Sequence, residues 1–218
     1  MPRKPPRRTR ERILQTSLAL FNRSGEPNVT TGHIADEMNI SPGNLYYHFR
    51  NKDEIIGELY AALEAEIAPL LDVPEGRSVS VDDLWLLLHL LFERMGKYRF
   101  FYRDLDEITS RNRRIAVHFC DLVRRGESAV RTLARGLVAS GSMKASERER
   151  HALARNVVLI ATYWMSFQRI SHVPAALSTG DAVDLDAGEA AYQVLALVAP
   201  FLVGDARTLV ERLGADYL

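Results

Sequence analysis

Residues Thr30 to Ile56 read TTGHIADEMNISPGNLYYHFRNKDEII, and this stretch decides the fold. Thr30 or Thr31 caps a short helix that carries Ile34, Ala35 and Met38. Asn39-Ile40 makes a tight turn. Ser41 and Pro42 then open a second short helix, the pairing of a capping hydroxyl with proline in the first turn. Leu45 and Phe49, four apart, face inward along it. Asn51 followed by Glu54 caps a further helix whose buried stripe is Ile55, Ile56, Leu59, Leu63 and Ile67.

Two short helices joined by a brief turn have the shape that places the second helix in the DNA major groove. The outward positions of that second helix are Gly43, Asn44, Tyr46, Tyr47 and His48. Asn44 and His48, four apart, are placed to meet base edges, while the Tyr46 and Tyr47 hydroxyls are suited to phosphates. Gly43 acts by what it lacks, since backbone without a side chain can approach DNA closely. Thr31, at a helix start, offers its hydroxyl and its backbone N–H to a phosphate.

Working outward, Leu14, Leu18 and Phe21 predict a helix from about Arg7 to Ser24, with Gly25 as its stop. After residue 67 the segment Asp72 to Ser80, with Pro74, Gly76 and two serines, is a break. Helical spacing then resumes at about 81–97, 98–109, 111–139, 146–172, 186–203 and 205–214. Ser140-Gly141-Ser142 and the stretch Pro174 to Gly188 are loops. Few segments alternate as strands do, so the fold is all-α. A three-helix helix-turn-helix domain over residues 1–55 is expected to precede a helical body over residues 56–218.

The chain has 28 basic and 28 acidic residues, but the balance is not even along it. Residues 1–12 hold Arg3, Lys4, Arg7, Arg8, Arg10 and Arg12 against Glu11 alone. A basic arm ahead of a DNA-reading unit suits a polyanion. Cys120 is the single cysteine, so no intrachain disulfide forms and no cysteine-rich metal site can assemble. No apolar run reaches the roughly 18–20 residues that span a bilayer. Met1-Pro2-Arg3-Lys4-Pro5-Pro6 lacks the apolar stretch of a secretory signal, which predicts a cytoplasmic protein.

The body has no glycine-rich phosphate loop, no His-Glu-x-x-His and no Gly-x-Ser-x-Gly. His118 and Cys120, two apart in a helical run, do not share a face. Neither enzyme chemistry nor a cofactor nor a metal is therefore expected. The body is instead rich in aromatic side chains, among them Trp85, Phe92, Tyr98, Phe101, Tyr102, Phe119 and Trp164.

The run Ile34 to Ile55, with Leu45-Tyr46-Tyr47-His48-Phe49 and the following Lys52, resembles the DNA-binding domain of the TetR family over about residues 8–60. The resemblance implies that Tyr47 and Lys52 hold phosphates and that Gly43, Asn44 and His48 lie at or near bases. One departure is Gly32, where the founding member has a basic side chain that reads a base. The arginines of the arm are the expected compensation.

The resemblance also implies a homodimer, a double-stranded DNA operator and a small-molecule effector bound among the body helices. Phe92, Tyr98, Phe101, Tyr102, His118, Trp164 and Gln168 are the candidate lining, with Tyr102, His118 and Gln168 as its polar members. Family members pair through their last two long helices. Val157, Val158, Ile160, Ala161, Trp164 and Met165 on the first, with Ala190, Ala191, Val194, Leu195, Leu197 and Val198 on the second, are the apolar residues expected there. A ligand-released repressor is the leading expectation. A DNA-binding protein that answers no ligand and a helical ligand carrier are the alternatives.

Overall fold

The computed structural model describes residues 6–76, 79–171 and 187–215. The arm's Arg3 and Lys4, and most of the loop expected from Pro174 to Gly188, lie outside the described residues.

Local rules set the N-terminal elements. Helix α1, Pro6–Ser24, ends at Gly25, which takes φ +87° while its N–H bonds the Phe21 carbonyl at 2.9 Å. Thr30 caps α2, Thr31–Glu37, and its partner is His33: the His33 N–H donates to Thr30 Oγ1, and the Thr30 N–H donates to His33 Nδ1. Asn39, with φ +52°, makes the turn. Ser41 Oγ accepts the Asn44 N–H at 3.2 Å to start α3, Pro42–His48. Asn51 Oδ1 does the same for Glu54 at 2.9 Å at the head of α4, Lys52–Ile67. Each such cap stabilises its helix by about 1 kcal/mol.

These helices close on Ile13, Phe21, Ile34, Leu45, Phe49 and Ile55, all fully buried. The inward face of α1 is Ile13, Ser17, Leu20 and Phe21, so the Leu14 and Leu18 of the predicted stripe sit on its half-buried flank. Residues 55 and 56, where the two halves were expected to divide, both lie inside α4. The buried face of α4 continues through Leu59, Leu63 and Ile67, so the helix serves both halves.

The body follows a 3-10 turn at Ala68–Leu71. Its helices are α5, Val81–Lys97; α6, Arg99–Arg103; α7, Leu105–Arg111; α8, Arg113–Ala139; α9, Glu147–Ser171; α10, Ala187–Val198; and α11, Asp205–Ala215. The expected single helix at 98–109 is broken at Asp104, whose carboxylate is drawn to Arg103 and to the Glu26 backbone N–H. The long antiparallel pair α8 and α9 come close at Gly126, where an added Cβ would lie 3.3 Å from Val158 Cγ2. No strand occurs among the described residues; a lone antiparallel bridge joins Met143 to Leu202. Aromatic contacts bind the halves together: Phe21 meets Phe100 at 5.1 Å and Tyr60 meets Phe101 at 5.6 Å.

The expected pairing face needs correcting. Ala190, Ala191, Val194, Leu195 and Val198 are at most 2% exposed in the single chain, because α10 lies against α5 and α9. Val157 and Met165 are likewise buried. The large exposed apolar side chains of α9 are Leu159, Tyr163, Phe167 and Ile170, spaced at four, four and three. Helical periodicity gives the existence of an apolar excess but not its phase.

Candidate nucleic-acid interface and ligand cavity

Helix α3 presents Gly43, Asn44, Tyr46 and Tyr47 to solvent, with Tyr47 79% exposed and His48 half-buried. Leu45 and Phe49 lock its other face in the core, and the Arg10 guanidinium lies 4.7 Å from the Phe49 ring centre. A side chain on Gly43 would meet nothing within 4 Å. The protein's own packing therefore does not require that glycine. Thr31 Oγ1 and the Tyr46 hydroxyl lie 3.1 Å apart, so these two expected phosphate ligands form one polar pair across the α2–α3 turn. The Tyr47 and His48 rings meet edge to face at 5.1 Å.

Lys52 is placed differently from the exposed residues of α3. Its ammonium donates to the carbonyls of Glu26 and Val29, both at 3.0 Å, and pairs with Glu26 Oε1 at 2.7 Å. Glu26 is fully buried. Its Oε1 also receives Arg111 Nη2 at 2.8 Å, while its backbone N–H donates to Asp104 Oδ2 at 2.9 Å. Arg103 extends the contact, donating to the carbonyls of Phe21 and Asn22. Asn22 in turn accepts the Phe100 N–H and donates to the Lys97 carbonyl.

This polar joint between the DNA-facing helices and α6–α7 was not found from sequence. An acidic residue after a helix-ending glycine reads as an ordinary loop charge. Its partners on α6–α7 lie 78 and 85 residues away.

The cavity lies inside the body, bounded by the end of α4 and by α5, α6, α8 and α9. Leu88, Phe92, Tyr102, Phe119, Ala129 and Thr162 are among its lining. Among the described residues the lining has no carboxylate, ammonium or guanidinium group, and its side-chain oxygens are the hydroxyls of Tyr102 and Thr162. Burial pushes the Tyr102 phenol well above its ordinary value, so it stays protonated and able to donate.

Of the seven expected lining residues, Phe92 and Tyr102 face this cavity. Tyr98 turns away and donates to Glu66 Oε1 at 2.9 Å. Phe101 fills the core between Tyr60 and Phe100. His118 points outward to Glu64, 3.2 Å from it, in a polar groove beside α4. Trp164 packs on Phe167, and Gln168 donates to Glu189 on α10. Chain position placed Phe101, His118, Trp164 and Gln168 in helices that line the cavity, but helix phase turned them from it, and Tyr98 sits in the turn between α5 and α6.

A helix-turn-helix with an exposed second helix on an all-helical body defines a class of DNA-binding transcriptional regulators. The comparisons agree. Residues 13–59 match the family model described as bacterial regulatory proteins, tetR family, and residues 62–210 match that of a bacterial transcriptional repressor. The chain belongs to the TetR family, and its members are transcriptional regulators, not enzymes.

A TetR-family transcriptional regulator from Marinobacter aquaeolei VT8 shares 37% identity, with 96% of this chain and 98% of that one covered and a TM-score of 0.81. The transcriptional regulator AcrR of Shigella flexneri is 32% identical over 62 residues, which span 28% of this chain and 29% of AcrR. SmeT in complex with triclosan shares the fold at 18% identity over 91% of this chain and 94% of its own, with a TM-score of 0.52.

Proposed function

We propose that the chain is a repressor that binds an inverted-repeat operator as a homodimer and leaves it when a small apolar ligand fills the body cavity. The observation that carries this reading is the pairing, in one chain, of an exposed helix α3 with an apolar cavity in the body. Residues 1–55 read DNA and residues 56–218 bind ligand and pair, with α4 joining the two. Asn44 and His48 meet base edges, Gly43 admits close approach, and Tyr47 with the Thr31–Tyr46 pair holds phosphates.

The ligand is uncharged, because a charge in a lining that offers only two side-chain hydroxyls would be desolvated without compensation. It carries at least one acceptor for the Tyr102 hydroxyl. The relative SmeT is a protein seen with triclosan, a small molecule. Ligand binding lowers operator affinity through a coupling of roughly 1–3 kcal/mol.

The exposed stripe Leu159, Tyr163, Phe167 and Ile170 forms the pairing face. Among the described residues no helix is long and apolar enough to cross a membrane, which fits work on DNA in the cytoplasm. The test is a mobility shift with DNA from upstream of the protein's own reading frame at physiological salt, with and without a panel of uncharged apolar compounds. Binding relieved by a compound supports the reading. Binding that no compound changes favours a regulator without a ligand, and compound binding without any DNA binding favours a carrier.

A further inference from the structure

Lys52 is the first residue of α4, and three residues separate it from the end of α3. The phosphate role that the family resemblance gives it calls for an ammonium turned to solvent. Here that ammonium is held by two carbonyls and by the carboxylate of Glu26, which is wholly buried. The other Glu26 oxygen, Oε2, is buried with no hydrogen-bond partner, so the stability of this carboxylate depends on the cations at Oε1. Those cations come from both halves of the molecule: Lys52 from the reading head and Arg111 from the last residue of α7, where Arg111 also reaches Asp53 at 3.2 Å.

We propose that Lys52 and Arg111 are positioning residues that set the angle of α3 through the buried carboxylate of Glu26, and that Lys52 supplies no phosphate contact. The joint leads back to the cavity. The Glu26 backbone is held by Asp104, two residues beyond the cavity-lining Tyr102. The carbonyls of Tyr102 and Arg103 accept from Ser166, one helical turn beyond the cavity-lining Thr162. A displacement of α6 by ligand therefore moves the partner of Lys52, and with it the start of α4.

This assignment rests on operator binding by the intact protein; if the unaltered protein binds no DNA, that reading fails first and separately. The experiment measures operator affinity against salt for the full chain and for Lys52→Met, Glu26→Gln and the double variant, with thermal melting as the check on folding. In the proposed arrangement, Lys52→Met weakens binding several-fold with an unchanged slope of log affinity against log salt. The loss shrinks when Glu26→Gln is also present, because a neutral amide no longer needs the ammonium, and Lys52→Arg retains binding. A slope reduced by about 0.9 per protomer, the signature of a lost phosphate contact, overturns the proposal. So does a loss of equal size in both residue-26 backgrounds. If Lys52→Met alone does not fold, the slope of the double variant against Glu26→Gln decides the same question.

Discussion

The hydroxyls of Thr31 and Tyr46 lie 3.1 Å apart and tie the first turn of α2 to the outer face of α3. Tyr47, the next residue along, has no such tether and is the most exposed of the large apolar and aromatic side chains. Adjacent tyrosines are thus given different work by the 100° step of a helix.

Tyr47→Phe is expected to weaken binding to all sequences alike, by about 0.5–1.5 kcal/mol for one hydrogen bond, because phosphates position without specifying bases. Tyr46→Phe leaves Thr31 free to bond the same phosphate and is expected to cost less. Fluorescence anisotropy on specific and scrambled duplexes compares the two. A larger loss from Tyr46→Phe would show that the pair, not Tyr47, is the main anchor.

Asn44→Ala is expected to relax base preference at one position in each half-site by roughly 1–3 kcal/mol if its amide bonds a base bidentately. Selection from a random DNA pool reads this directly. An unchanged selected motif would remove Asn44 from the set of reading residues.

Half-sites are expected as inverted repeats with centres about one turn, roughly 10 base pairs, or slightly more apart. Leu159→Glu with Phe167→Glu alters two exposed residues of α9, so the product should be a folded monomer with weak operator binding. Leu195→Glu instead places a charge where the chain is 1% exposed, and should unfold the body. Sedimentation with thermal melting separates the outcomes. A dimer from the α9 pair would move the pairing face elsewhere.

Ala129→Phe adds a ring to the cavity lining and is expected to cost about 1–3 kcal/mol in stability through overpacking. Operator affinity without ligand should survive, while release by any active compound should be lost. Undiminished release would mean that the compound acts from another site.

The DNA-facing half was legible because its signals are local. Ser41 before Pro42 and Asn51 before Glu54 each fix a helix start from a few neighbouring residues, and both caps are present. His33, exposed on α2, completes the cap of that helix because its ring nitrogen substitutes for the usual acidic acceptor. The body was legible as helices but not in rotation, since apolar residues spread around α9 and α10 are compatible with several phases. That ambiguity is why Leu195 reads as a pairing residue yet lies in the core. Glu26 was illegible for a different reason. What makes it important is the arrival of Asp104 and Arg111, and no short window of sequence contains all three.

Val158 and Thr162 of α9 line the cavity, and Leu159 and Tyr163, each one residue further on, point outward. One rigid rod thus has a ligand on one side and, in a dimer formed through that stripe, a twin on the other. A molecule that rolls the rod to make room for itself also turns the surface against which the twin is seated. In such a dimer the first molecule to bind is expected to alter the vacant site of the twin, giving a titration curve that departs from a simple hyperbola.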